Sequence, residues 1–218
     1  MNRQSEPPII GLVGGVGSGK STVAAMLRDL GCVVADSDQF AREALRDPDI
    51  RKHITAWWGS DVLDPQSGEV DRGKIAAIVF ADREQRKRLE SLTHPWIERE
   101  RRELFESHAQ AKPPAFVIDA PLLLEAGLAA ECDAIIFIDA PADMRERRVQ
   151  ERSHWTHDQW RSREAAQLPL DEKRRRADHV IVNSGDLNGL RAAVARTLAE
   201  IAASTKRRDK TTRNQPEK

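Results

Sequence analysis

Residues 14–21 read Gly-Gly-Val-Gly-Ser-Gly-Lys-Ser. Gly14, Gly19, Lys20 and Ser21 stand at the spacing of a phosphate-binding loop. Glycine leaves room for backbone N–H groups to converge on phosphate oxygens. Lys20 can reach the β- and γ-phosphates, the Ser21 hydroxyl can ligate Mg²⁺, and the start of a following helix favours negative charge. Gly15, Val16, Gly17, Ser18, Gly19, Lys20, Ser21 and Thr22 are therefore the expected nucleotide-binding residues. The competing reading is a glycine-rich turn with a chance lysine. The apolar run before the loop and the helical run after it disfavour that reading. The site is one for a nucleoside triphosphate.

A phosphate loop alone does not separate GTPases, motors and small-molecule kinases. There is no Asn-Lys-x-Asp guanine signature, and 218 residues are few for a motor. Asp36-Ser37-Asp38 directly follows the second strand-like run. Carboxylates at the carboxyl ends of parallel strands line the ligand crevice, where one can orient or deprotonate an acceptor hydroxyl. Asp38 can equally cap a helix over Gln39–Leu45. Asp119, ending the third run, can sit in the water shell of the metal or cap a strand end. Arg145, Arg147, Arg148 and Arg152 form either a solvated helix face or a flap that neutralises charge during transfer.

These residues need a scaffold that brings strand ends together. Apolar, β-branched runs recur at Ile9–Val13, Cys32–Ala35, Phe116–Ile118, Ala134–Ile138 and Val180–Val182. Such continuous runs suit strands buried on both faces, and the helical patterns between them imply a parallel five-stranded α/β sheet. A helix over Ser21–Leu30, stopped by Gly31, follows the loop. A last helix over Leu187–Ile201 is expected to return to the sheet. Two gaps exceed simple crossovers. Residues 39–114 read as a helical insertion with helices at Pro48–Trp58, Arg72–Phe80, Glu84–Leu92 and Pro95–His108, and residues 142–177 read as an arginine-rich lid. The core then comprises residues 8–38, 115–141 and 178–204.

The chain has 39% apolar and 32% charged residues and no run of about 20 apolar residues, which describes a globular protein that does not span a membrane. Formal charge is zero, but Lys206–Lys218 holds six basic and two acidic residues, leaving the remainder at −4. That balance argues against a nucleic-acid surface on the folded part. Residues 205–218 read as a disordered basic tail. Cys32 and Cys132 lack metal or redox spacing and read as reduced structural residues in a cytoplasmic protein.

Taken together, the loop, Asp36-Ser37-Asp38 with Arg42, Trp58-Gly59, Val70-Asp71-Arg72, His94-Pro95 and Pro121–Glu125 resemble the dephospho-coenzyme A kinase family. Arg148, Arg152, Gln167, Lys173, Ala177-Asp178 and Ile181–Gly185 complete the likeness, which covers about residues 8–200. The loop is generic, whereas His94-Pro95, Pro121–Glu125 and Ala177–Gly185 are specific in combination. The resemblance implies a fold like the nucleoside monophosphate kinases, with core, substrate-binding insertion and lid. It implies ATP with Mg²⁺, and phosphorylation of the ribose 3′-hydroxyl of dephospho-CoA, the last step of coenzyme A synthesis. It makes Asp38 the catalytic base, places Arg42 near the acceptor and puts Asn183 in the loop bordering adenine. Lys20, Arg148 and Arg152 join Asp38 as catalytic candidates; Asp38, Arg42 and His94 are the substrate-binding candidates; Ser21 and Asp119 are the metal candidates. Arg145 stands where the family usually has glutamine, and Ser37 where it has alanine.

Other noticeable residues have plainer readings. Trp57, Trp58 and Trp96 suit a core better than a base-stacking platform. His94 before Pro95 reads as a helix start rather than an acid or base. The remaining histidines show no metal spacing. A monomer or weak homo-oligomer is expected. Two alternatives remain: a similar kinase for another nucleotide or small metabolite, and a non-catalytic nucleotide switch that uses its tail on RNA or a protein.

Overall fold

The computed structural model describes the backbone of residues 6–213 and the side chains of residues 6–204. Five strands, β1 (Ile9–Gly14), β2 (Val33–Asp36), β3 (Phe116–Asp119), β4 (Ala134–Asp139) and β5 (His179–Val182), form one sheet. Their order is β2-β3-β1-β4-β5, and every pairing is parallel. Each lies within a residue or so of its expected run. The reason is physical: β1, β3 and β4 are buried almost throughout, so their sequences carry no polar alternation.

Side chains alternate between two cores. On one face Ile10, Leu12, Val117, Ile136 and Ile138 pack against Val23 and Leu27 of α1 (Lys20–Asp29) and Leu190, Val194, Leu198 and Ile201 of α9 (Leu187–Arg213). On the other, Val13, Ile118, Ile135 and Phe137 pack with Leu123, Leu124 and Phe105. Helix α9 extends to Arg213, well past the expected end at Ile201. The added turns are rich in lysine and arginine, which are good helix formers that need no apolar face. The expected disordered tail at 205–218 instead has helical backbone as far as Arg213, and its residues 214–218 lie outside the described residues.

The chain divides into two compact units, residues 1–36 with 105–218 and residues 37–104. The second unit contains α2 (Ser37–Ala44), α3 (Pro48–Trp58), α4 (Arg72–Ala81) and most of α5 (Arg83–Ala109). Its core gathers Ala44, Ile50, Ile54, Val62, Val70 and Ile75, with Trp58 and Trp96 packed against them. Those two tryptophans are core residues, as expected. Trp57 instead lies edge-on to Trp58, under the Arg88 guanidinium at 4.1 Å.

The expected break at His94-Pro95 does not occur: α5 is one 27-residue helix with Pro95 inside it, and exposed His94 lies in its interior rather than at a helix start. Proline in a helix interior costs about 3 kcal/mol. Leu89, Leu92 and Trp96 keep helical spacing across the proline and share one apolar cluster, and the Trp96 indole donates to Asp47 at 3.0 Å. That packing outweighs the lost hydrogen bond.

Segment 142–177 forms α6 (Ala142–Ser153), α7 (His157–Ala165) and α8 (Leu170–Arg175) in the first unit. A reciprocal capping box of Thr156 and Gln159 starts α7.

Candidate active site

The phosphate loop joins β1 to α1 at the carboxyl edge of the central strand, where an open parallel sheet receives ligands. The turn closes with Ser18 N–H donating to the Gly15 carbonyl at 3.0 Å. Gly17 and Gly19 have φ of +82° and +89°, a region that disfavours side chains. Gly19 caps α1 without any side-chain acceptor, so the helix presents uncapped N–H groups. The Ser18 hydroxyl is buried without a hydrogen-bond partner among the described residues. A phosphate would satisfy such orphaned donors.

Lys20 is ion-paired with Asp119 at the end of β3, their side chains 18% and 9% exposed. Asp36, ending β2, is in register with Asp119 on the neighbouring strand. The strand order thus sets two carboxylates side by side, one of them holding the loop lysine. Ser21 is exposed in the first turn of α1, with its Oγ 3.4 Å from Arg152 Nη1. A hydroxyl at an open helix terminus beside strand-end carboxylates suits a cation that keeps several of its waters.

Asn183 follows β5 and is buried beneath the loop. Its amide donates to the Ser18 carbonyl at 2.8 Å and lies against Gly19, where a Cβ would fall 2.2 Å away. Arg148 donates to the Asn183 carbonyl and side-chain oxygens at 3.2 and 3.3 Å and reaches the Ser18 carbonyl at 3.5 Å. The resemblance implies that Asn183 lies in a loop bordering the adenine; in the structure its side chain also holds the phosphate loop.

Three features of this unit escaped the sequence reading. Arg145 is buried, with its guanidinium against Gly15, ion-paired to Glu164 and 5.4 Å above the Trp160 ring. Trp160, also buried, donates its indole N–H to the Val16 carbonyl at 3.3 Å. The segment 142–177 therefore rests on Gly15, Val16 and Gly17, and the missing Cβ atoms make room for protein as well as ligand. Trp160, with Trp155 one of two tryptophans in a polar, arginine-rich stretch, was the available signal. Lys173 is the third feature, with 1% exposure. Its Nζ donates to Gln167 at 2.8 Å and lies 3.3 Å from Glu125, which accepts from the Leu168 N–H. Burial pulls the Lys173 pKa down, Glu125 opposes that, and the Lys20 charge adds to it.

Asp38, Arg42 and His94 belong to the second unit, and all three are exposed. Helix α2 begins at Ser37, so Asp38 sits inside its first turn rather than capping it. Arg42 lies one turn further along. No helix is long and apolar enough to cross a membrane, and no three His, Cys, Asp or Glu cluster for a metal, both among the described residues. Cys32 and Cys132 are unbridged, and burial pushes the Cys32 thiol up to about 11.

Known proteins resemble this chain over most of its length. The family model described as "Dephospho-CoA kinase" matches residues 8–189. A Geobacillus kaustophilus protein named "Dephospho-CoA kinase" is 41% identical over 177 residues, 81% of this chain and 88% of that one. A solved Thermus thermophilus protein superposes with a TM-score of 0.77 at 37% identity, covering 89% of this chain and 98% of its own. A shikimate kinase from Acinetobacter baumannii, at 15% identity and TM-score 0.52 over 92% of this chain and 96% of its own, shares the fold alone.

Proposed function

This chain belongs to the dephospho-CoA kinase family, and from that premise we propose how its residues carry out the transfer. The enzyme is an ATP-dependent kinase that phosphorylates the ribose 3′-hydroxyl of dephospho-CoA, giving coenzyme A and ADP. The observation that carries the reading is the family match across residues 8–189, which include the intact phosphate loop.

The loop amides, with Gly15, Val16, Gly17, Ser18, Gly19 and Thr22, cradle the triphosphate, and Lys20 exchanges Asp119 for the β- and γ-oxygens. Ser21 and Asp119 are the residues that would hold Mg²⁺, which neutralises charge on those oxygens when bound. The exposed Ser21 hydroxyl and the strand-end position of Asp119 support this. Asp38 accepts the 3′-hydroxyl proton as that oxygen attacks the γ-phosphorus and the bond to the bridging oxygen of ADP breaks. Its place two residues beyond β2 and the Asp-x-Asp motif support the role. Arg148 and Arg152 offset charge on the phosphoryl group in flight, consistent with their contacts to Ser18 and Ser21. Asn183 fixes the loop that receives the nucleotide. Arg42 and exposed His94 bind the acceptor. A monomer or weak homo-oligomer, working in a cytoplasmic setting where ATP is supplied, completes the reading.

The test separates two carboxylates. Asp38→Asn should lower kcat on the order of 10²-fold or more with the KM for ATP little changed. Asp36→Asn, in register with Asp119, should be milder and respond to Mg²⁺ concentration. Normal turnover in Asp38→Asn with a dead Asp36→Asn would assign the base to the other residue.

A further inference from the structure

The second unit holds a polar cleft of about 370 Å³ whose lining includes Arg42, Arg46, Arg72, Gln39, Glu43 and Glu69. Of its two carboxylates, Glu43 accepts from Gln39 within the same lining at 2.8 Å, and the ion pair of Glu69 runs out of it to Arg51 at 3.8 Å. Among the described residues, none of the three arginines has a carboxylate within ion-pair distance. Three unpaired guanidinium groups on one concavity repel one another, and a bound anion would turn that repulsion into attraction. Arginine also presents paired donors that match the oxygens of a phosphate.

The helix geometry says which anion. Asp38 and Arg42 stand four residues apart on α2, on one face and about 6 Å apart along its axis. Arg46 follows four residues later, just beyond the helix. Arg72 is fixed from another direction, at the first position of α4, whose cap Asp71 accepts the Gly73 and Lys74 N–H groups at 2.8 and 3.2 Å. Asp38 does not itself line the cleft, but a nucleotide whose 3′-hydroxyl meets it has its 5′-phosphates about one helix turn away, which is the spacing from Asp38 to Arg42. We propose that Arg46 and Arg72, together with Arg42, form the subsite that binds the 5′-diphosphate of the acceptor, thereby selecting a diphosphate-bearing nucleotide over a bare nucleoside. The inference rests on the functional reading above and names the part of the acceptor that this unit grips.

Steady-state kinetics on Arg46→Ala and Arg72→Ala test it. Each should raise the KM for dephospho-CoA about 10- to 100-fold, the worth of one charge-assisted hydrogen bond. The kcat, the KM for ATP and the melting temperature should stay near wild type, and Arg→Lys at either site should recover part of the affinity. The KM for dephospho-CoA should rise with ionic strength in wild type and less steeply in the variants. Wild-type KM in both alanine variants overturns the inference, as does an equal loss toward ATP or a fall confined to kcat. Absence of dephospho-CoA turnover by the wild-type enzyme overturns the functional reading and this inference together, so the two failures are distinguishable.

Discussion

In the proposed mechanism Lys20 faces two partners in turn, and removing one should expose the cost of the other. Its ammonium is paired with Asp119, whose side chain is only 9% exposed. Two unit charges about 4 Å apart attract by roughly 4 kcal/mol at an effective dielectric of 20, before desolvation is subtracted. Removing one partner of a fully buried pair costs about 3–5 kcal/mol. Lys20 keeps 18% exposure, which lets water reach the pair and lowers the expectation. We expect Lys20→Ala to destabilise the protein by about 2 kcal/mol and to lower its melting temperature by roughly 4–8 °C. Turnover should vanish in the same variant. Asp119→Asn should cost less, since an amide oxygen still accepts from Lys20. The double variant should be more stable than the two single losses predict, by a coupling of about 1–2 kcal/mol in urea unfolding. Binding provides the second arm: nucleotide must draw Lys20 away from Asp119. Mg²⁺-free ADP should therefore bind Asp119→Asn about tenfold more tightly than wild type, while turnover with Mg²⁺ and ATP falls. Zero coupling, with a Lys20→Ala melting point within a degree of wild type, would refute the pairing argument. Weaker Mg²⁺-free ADP binding by Asp119→Asn would refute the exchange of partners.

Three further outcomes follow from particular contacts. Arg145→Gln leaves Glu164 without its cation and uncovers the Trp160 ring, so hydrogen exchange in α7 should quicken on the order of 10²-fold while β1 and β4 stay protected; unchanged exchange in α7 would show that the ion pair does not hold this segment. Asn183→Ala removes the 2.8 Å bond to the Ser18 carbonyl, and should raise the KM for ATP about tenfold with little change for dephospho-CoA; an effect confined to dephospho-CoA would count against a loop-holding role. Asp47 is held below the usual carboxylate range by N–H donation from Ile50 foremost, with the Trp96 indole and the Asp49 N–H adding. A lowered folded pKa stabilises above the ordinary carboxylate value and loses that stabilisation as pH falls through the folded value. Asp47→Ala should therefore cost about 1 kcal/mol at pH 7, the worth of a helix cap, and progressively less below about pH 4; a constant gap down to pH 3 in urea unfolding would refute the assignment.

What the sequence made legible was mostly local. The loop declares itself because four glycines, a lysine and a serine fall within eight residues at fixed spacing, and the strands do so because burial on both faces leaves continuous apolar runs. The start of α2 at Ser37 and the passage of α5 through Pro95 were not legible. In α5 a tertiary apolar cluster outweighs a breaker that local propensity treats as decisive. Arg145 and Lys173 were hidden for a related reason. Both stand in basic stretches that read as solvated, and their burial depends on Glu164, Gln167 and Glu125, partners that spacing does not reveal. Asn183 was singled out through the family resemblance, while its contact with Ser18, 165 residues away in the chain, required the fold.

The central claim concerns the acceptor, and product analysis tests it most directly. Purified wild-type enzyme with ATP and Mg²⁺ should release ADP slowly alone and rapidly once dephospho-CoA is added, with one coenzyme A formed per ADP and the new phosphate on the ribose 3′-oxygen by ³¹P NMR. ADP release that dephospho-CoA does not stimulate, or a phosphate placed elsewhere on the acceptor, would contradict the account.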